Sequence, residues 1–406
     1  MNKALVIIFL TILLDAAGLG LIFPILPSLL QHLTGDADVA LLMGLLTALY
    51  ALMQFLFAPV LGALSDRYGR RPVLLLSLAG MAVNYGLLAF SNSLIFLIIG
   101  RMIAGLTSAN LSVASACLTD VSTPSQRTRY FGLFQAFFGA GFILGPVLGG
   151  VLGDIGLRLP FLAAALLSLA NFVLAWRALP ETLRQPSAGM GWRDLNPFAA
   201  FARVVPGVKI LVVLFFLFSA TGEAYGVCWA LWGHDAFQWN GVWVGLSLGA
   251  FGLCQVLVQG FLPGRIRDRL GDRATVLTGI GCASLALTAL AFSTQGWMVF
   301  AIMPLFALGS IGGPALQALA TQSVDKHAQG RLQGVLASAV SLASVLAPLF
   351  FSAVYGGVQT VWPGAVWLSV LALYLLALPL VLLATRQGVI ESTSDSAAER
   401  VADGAA

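Results

Sequence analysis

A ten-residue signature occurs twice in this 406-residue chain, and the repeat limits the fold to two copies of one unit laid end to end. Gly62, Asp66 and Gly69, followed by Arg70 and Arg71, recur 202 positions later as Gly264, Asp268 and Gly271, followed by Asp272 and Arg273. The same shift carries Arg129, Gly132 and Pro146 onto Arg331, Gly334 and Pro348, and 202 is within one residue of half the chain. Self-similarity over so long a period implies duplicated halves and not a solenoid of short repeats.

The solvent for those halves is lipid. Hydrophobic residues make up 59% of the chain and charged residues 9%, against roughly 25% charged in an ordinary soluble domain. Twelve apolar runs are long enough to span a bilayer as helices: 4–30, 41–63, 73–91, 94–118, 130–153, 159–180, 207–231, 241–263, 274–292, 296–319, 331–356 and 362–385. The expected fold class is an all-α membrane protein, two six-helix halves related by pseudo-two-fold symmetry. Its expected parts are an amino-terminal half over 1–180, a polar linker over 181–206, a second half over 207–385 and a disordered tail over 386–406. Parallel halves in lipid are an architecture of secondary transporters that rock about a central site.

Basic residues orient the bundle. Of 21 Lys and Arg, Arg158 alone falls in a loop on the far side and Arg101 lies inside a run. The other nineteen put both termini and the linker in the cytoplasm. That bias accounts for the net charge of +4 without any nucleic-acid partner. Lys3, Lys209 and Lys326 do not follow the glycines of a phosphate loop, which argues against a built-in ATP motor. The cysteines (Cys117, Cys228, Cys254, Cys282) lie in apolar runs without a Cys-x-x-Cys pair, so no disulfide or metal role is expected. The histidines form no ligand cluster, and no nucleophile–base pair points to catalysis. The first run is too long for a signal peptide and lacks a cleavage site.

Within this frame three motifs carry chemistry. The signature loop suits a tight turn between helices, with glycines for the backbone and Asp66 available to a helix N-terminus or to an arginine across the halves; its expected role is conformational gating. Run five holds Gly132, Gly141, Gly145, Pro146, Gly149 and Gly150, small residues that let another helix approach closely beside a helix-bending Gly-Pro step. In run four, Arg101 costs at least ~2.5 kcal/mol in hydrocarbon and should face a wet cavity or a partner. A role in tuning a carboxylate or moving protons is expected, with a structural tie to carbonyl groups as the alternative.

Two acids lie deep in corresponding runs. Asp15 is twelve residues beyond Lys3 and Glu223 fourteen beyond Lys209, about 18 and 21 Å along a helix. Both are expected to line a central cavity and exchange protons there, although Asp15 can instead bond to the bent segment between Gly18 and Pro27. Gln54, Asn84, Asn110 and Gln255 are candidate hydrogen-bonding groups on the cavity wall, with Tyr225 and Trp229 as stacking surfaces.

The signature loop resembles that of the major facilitator superfamily, and the run-five glycine pattern resembles the one its drug/proton antiporters show. Leu14–Gly20, Leu49–Phe55 through Arg71–Leu74, Pro314–Ala318 and Leu332–Gly334 are similar to tetracycline/proton antiporters of Gram-negative bacteria. The resemblance implies a monomeric, proton-coupled exporter of a small amphipathic or apolar compound in the bacterial inner membrane. It would use the proton gradient and no cofactor or metal. Against that family pattern Asn84 replaces an aspartate, Cys254 a histidine, the stretch Cys282–Ala283–Ser284 another aspartate, and Glu223 a glutamine. A proton-coupled carrier of an endogenous metabolite on the same fold is the alternative, and a non-transporting membrane sensor is a more distant one.

Overall fold

The computed structural model describes residues 3–35, 38–108, 110–183, 209–322 and 329–403. Among the described residues every regular element is helical. Those in the first half are α1 (Lys3–Ile22), α2 (Leu26–Thr34), α3 (Val39–Tyr68), α4 (Arg70–Phe90), α5 (Leu94–Leu106), α6 (Asn110–Val121), α7 (Pro124–Ile155) and α8 (Leu159–Ala178). The second half contains α9 (Lys209–Phe237), α10 (Gly241–Phe261), α11 (Pro263–Ala291), α12 (Gly296–Gly309), α13 (Gly312–Gln322), α14 (Gln329–Val358) and, after a short 3-10 turn, α15 (Val366–Asp403). They form twelve segments long and apolar enough to cross a membrane. Most of the expected linker, from 184 onward, lies outside the described residues, as do the side chains of the expected tail from 386.

Pairing among these helices repeats from one half to the other. The first and fifth spans pack together (α1 on α7), as do the seventh and eleventh (α9 on α14). Spans three and six pair (α4 on α8), matched by nine and twelve (α11 on α15). Two main seams join the halves, α7 against α10 and α14 against α3, and each maps onto the other when span numbers advance by six. The pseudo-two-fold axis runs between them.

Three spans are not the continuous helices expected from hydropathy. Span one breaks at Phe23–Ile25, where Pro24 and Pro27 withhold backbone donors. Span four stops after Leu106 and resumes at Asn110; span ten stops after Gly309 and resumes at Gly312. Asn110 and Gly312 are themselves 202 positions apart, so the break belongs to the duplicated unit. Non-helical backbone at membrane depth is tolerated where protein or a wet cavity surrounds it.

The seams are tight at one end only. At the end away from the signature loops, a side chain on Gly150 would strike the carbonyl of Gly241, and one on Gly44 would strike Ser352. Further along α10, a Cβ on Gly249 would lie 2.7 Å from Val147 Cγ2, and one on Gly252 2.6 Å from Ile143 Cγ1. Past these the contact loosens: Gly139 leaves 3.6 Å to Val256, while Gly132, Gly260, Gly62 and Gly334 meet nothing within 4 Å. The halves therefore touch at the far end and diverge toward the signature loops.

Carboxylates close the tight end. Asp154, near the end of α7, accepts hydrogen bonds from the Gly241 and Val242 amides at 2.9 and 3.3 Å, meeting the positive N-terminus of α10. At the matching place on the other seam, Asp38 caps its own α3 through Leu41 N at 3.1 Å, and Gly356 of α14 lies against it. Gly150→Val is expected to cost about 1–3 kcal/mol by overpacking against backbone. The purified protein should melt several degrees lower, whereas Gly132→Val, which meets open space, should melt close to the parent.

Candidate functional site

Divergence of the halves leaves two neighbouring chambers at the centre of the bundle, with Phe23, Glu223 and Gly226 between them. The larger, about 680 Å³, is walled mostly by the second half: Phe215, Phe218, Tyr225, Trp229, Phe251 and Phe306 give it an aromatic surface, with Gln255 and Ser310 as polar points. The smaller, about 210 Å³, lies in the first half among Thr47, Tyr50, Gln54, Asn84, Tyr85 and Arg101. Phe23, Glu223 and Gly226 line both chambers. Beyond Tyr225 toward the closed end the second half is plugged by rings: Trp367 stacks on Tyr225 at 5.3 Å, and Trp232 meets Trp367 at 5.2 Å and Phe237 at 5.0 Å.

Glu223 stands where the two chambers meet and is, among the described residues, the only carboxylate that lines either one. Its Oε1 accepts a hydrogen bond from Ser344 Oγ at 2.6 Å, and the same hydroxyl reaches the carbonyl of Val340 at 3.3 Å. A hydroxyl both donates and accepts. Ser344 can donate to the ionised carboxylate, or accept from the protonated one while donating to Val340, so both states are satisfied. Ser344 carried no sequence signal: it is one of many serines, 121 positions from its partner.

Asp15 is placed differently from the expectation. It is buried, lines neither chamber, and accepts a hydrogen bond from Asn110 Nδ2 at 2.5 Å. Asn110 opens α6 at the break in span four, so its amide is spent on joining that break to α1 and not on the cavity wall. Arg101 does line the smaller chamber; among the described residues no ion pair joins it to Asp15 or Glu223, and its Nε is buried without a partner. Of the proposed wall groups, Gln54, Asn84, Gln255, Tyr225 and Trp229 face chambers. Gln54 donates to Ser108 Oγ at 3.0 Å, and Trp229 donates to Ser247 Oγ at 2.9 Å.

The run-five glycines form two faces of α7. Gly141, Gly145 and Gly149 lie against the backbone of α1 between Leu13 and Leu21, while Gly150 and Pro146 meet α10 across the halves. Gly132 takes no part in either contact.

The signature sequence is more helical than its glycines suggest. Gly62 and Asp66 belong to the last turns of α3, and the turn reduces to Gly69, whose φ of 110° favours glycine. The second copy behaves alike: α11 is bent at Gly271, with φ 78°. Asp66 pairs with Arg70 of its own half at 2.5 Å and not with an arginine across the halves. Arg70 also reaches Asp120 at 3.3 Å, and Arg71 donates to the Trp176 carbonyl. The acid that meets a helix N-terminus is Glu181, which accepts from the Arg70 and Arg71 amides at 2.9 and 3.1 Å. In the second copy the pair is Arg267 with Asp272, at 2.6 Å, and Asp268 is exposed. Because an anion at a helix N-terminus contributes about 0.3–1 kcal/mol, Glu181→Gln should raise hydrogen exchange at the Arg70 and Arg71 amides by about two- to fivefold.

Comparison with known proteins accords with this arrangement. The Major Facilitator Superfamily model matches residues 8–240 and 211–402. Tetracycline resistance protein class C of Escherichia coli is 44% identical over 93% of this chain and 96% of its own length. The class G protein of Vibrio anguillarum is 44% identical over 94% and 97%, and the class B protein of Escherichia coli 39% identical over 97% and 100%. Among solved structures, the nucleoside transporter NupG has a TM-score of 0.80 at 14% identity, covering 94% of this chain and 99% of its own. The human organic anion transporter MFSD10 has a TM-score of 0.70 at 24% identity over the same shares. With its duplicated six-span halves, central chambers and paired signature loops, this multi-pass membrane chain is a transporter and belongs to the Major Facilitator Superfamily.

Proposed function

We propose that the protein is a proton-coupled antiporter that exports a small amphipathic or apolar compound, of the kind tetracycline resistance proteins handle, across the bacterial inner membrane. The observation that carries this reading is the carboxylate of Glu223, the single one among the described residues where the two chambers meet, held by a hydroxyl that serves both of its protonation states. A carrier needs one site that cargo and proton reach in turn, and Glu223 fits that requirement. The aromatic wall suits a drug-like amphiphile better than a polar metabolite. High identity to tetracycline resistance proteins over nearly the whole chain supports the same assignment.

With both termini cytoplasmic, as the basic residues indicate, the chambers open inward and the Asp154 closure faces outward. Transport then requires the far-end seams to part while the signature loops converge. One chain supplies both halves of the cavity, so the unit of transport is a monomer. Asp15 and Asn110 hold the break in span four beside α1, a position from which protonation of Asp15 would loosen the first half.

Inside-out vesicles holding a respiratory proton gradient test the assignment, with tetracycline, a phenicol, a quinolone and a cationic dye added singly. One of these compounds should release protons, and Glu223→Gln should reduce that release more than tenfold. Full release by the Gln variant would remove Glu223 from the coupling. Asp66→Asn should slow turnover several-fold with cargo affinity unchanged; an equal loss of affinity would place Asp66 in binding and not in gating.

A further inference from the structure

Arg158 is the one basic residue in a far-side loop, and its surroundings argue against a charge there on three counts. Lys and Arg are otherwise held on the cytoplasmic side. As the N-cap of α8 it sets a cation against the positive end of a helix, where the macrodipole opposes it. Among the described residues no carboxylate pairs with it, and Asp154, four positions earlier, is spent on the Gly241 and Val242 amides. What Arg158 does touch is the turn between α4 and α5. Its Nη2 donates to Asn92 Oδ1 at 2.7 Å and to the Ser91 carbonyl at 3.4 Å. Its Nε and Nη1 donors meet no partner among the described residues, and the Asn92 amide keeps its own N–H groups to offer.

Directly beneath that turn the lipid-facing side of α4 is hollowed. Val83, Gly86, Leu87 and Phe90, with Phe96 of α5, line an apolar groove of about 410 Å³. Gly86 makes the hollow, because a Cβ there would meet nothing within 4 Å. The groove follows α4 for about 10 Å and ends at Phe90, next to the Ser91 carbonyl that Arg158 reaches. Phe90, Ile95 and Leu159 around the arginine are 71%, 65% and 37% exposed. The guanidinium therefore sits where hydrocarbon gives way to headgroups.

The repeat supplies a control. In the second half the same corner is tied by an uncharged donor: Trp362 Nε1 donates to the Ala291 carbonyl at 3.0 Å, and its ring lies 5.1 Å from Phe292. Phe292 is Phe90 advanced by 202, Thr288 is Gly86 advanced by the same shift, and Thr360 stands where Arg158 would fall. Tying the loop to the turn thus needs no charge. The first half has a charge all the same, and a hollow where the second half has Thr288. We propose that this corner binds an anionic phospholipid of the outer leaflet, its phosphodiester received by Arg158 and Asn92 and one acyl chain seated in the α4 groove. Arginine suits phosphate oxygens because its donors form a planar fork. A lipid of net negative charge is selected over a zwitterionic one, which brings a second cation to a site that already has an unanswered one. The bound lipid clamps α4, the following turn and α8 together without touching cargo.

The test uses the full-length protein in lipid nanodiscs and two photoactivatable probes with identical chains, phosphatidylglycerol and phosphatidylcholine, each with a diazirine on one acyl chain. Crosslinks to residues 83–96 are read by mass spectrometry. In the parent the phosphatidylglycerol probe should label that stretch about fivefold more than the phosphatidylcholine probe, the preference that one arginine near a membrane surface confers. Arg158→Gln keeps a neutral donor for the turn and should bring the two probes to equal labelling, while Arg158→Lys should keep part of the preference. Gly86→Leu fills the groove and should reduce labelling by both probes without changing their ratio. Because each variant is read as a ratio between two lipids, loss of headgroup recognition is distinguished from loss of packing. Equal labelling in the parent would mean annular lipid only and overturns the inference. So does a preference that survives Arg158→Gln, which would assign it to the basic residues of the opposite face, and so does full labelling in Gly86→Leu. Soluble glycerophosphoglycerol in large excess should leave the labelling unchanged; displacement of the probe by it would make the corner a site for a soluble phosphodiester and not for lipid.

Discussion

Backbone-to-backbone contact at glycine is the interaction on which this molecule depends. Lipid offers no hydrophobic drive to bring helices together, so close approach must come from small residues. Helix α7 uses them in two directions. Gly141, Gly145 and Gly149 seat it on α1 within its own half, and Gly150 with Pro146 seats it on α10 of the other. The helix that organises the first half is thus also one side of a seam between halves. Contact that tight is possible at one end only, because the same helices diverge beyond Ile143 and Gly252. The central cavity follows from that divergence, and so does the placing of Glu223 and Arg101 within reach of water.

Charge is distributed with the same economy. At the closed end Asp154 meets the amides of another helix's first turn, a contact that carries partial charge but no opposing side chain. At the signature loops Glu181 performs the equivalent task for α4, pinning the start of the linker to the turn. Among the described residues, full ion pairs are confined to the helix ends, where Arg70 and Arg267 find their carboxylates. In the middle of the bundle the charged side chains are not paired with one another among the described residues: Glu223 meets a hydroxyl, Asp15 an amide, and the Nε of Arg101 is buried without a partner. A carrier must release what it binds, and strong internal pairs would compete with that.

Much of the architecture was legible in the chain itself. The apolar runs located all twelve spans, and the 202-residue repeat located the axis between halves, because both depend on composition along a line. The breaks at 107 and 310 leave no mark in the sequence, since hydropathy does not fall where a membrane helix is interrupted inside protein. The chemistry was less accessible. Glu223 was visible as an acid deep in a span, but its partner Ser344 lies 121 positions away. Asp15 had the same sequence credentials and a different fate, decided by Asn110 at 95 positions' distance. Glu181 looked like one more polar residue of the linker, yet it caps a helix that begins 111 positions earlier. A glycine announces that something will approach closely; which helix does so is set by the packed fold.

Distances across the two ends of the bundle test the account most directly. Spin labels at Arg67 and Arg269 report on the signature-loop end, and labels at Asn92 and Thr294 on the closed end; each pair is related by the repeat. With the protein in nanodiscs, protonation is mimicked by Glu223→Gln and cargo is added to saturation. The account predicts reciprocal change: as the Arg67–Arg269 distance shortens, the Asn92–Thr294 distance lengthens, with populations that differ between the carboxylate and its amide. Distances that lengthen or shorten together, or that ignore both cargo and Glu223, would contradict halves that rock about a far-end seam under the control of that one acid.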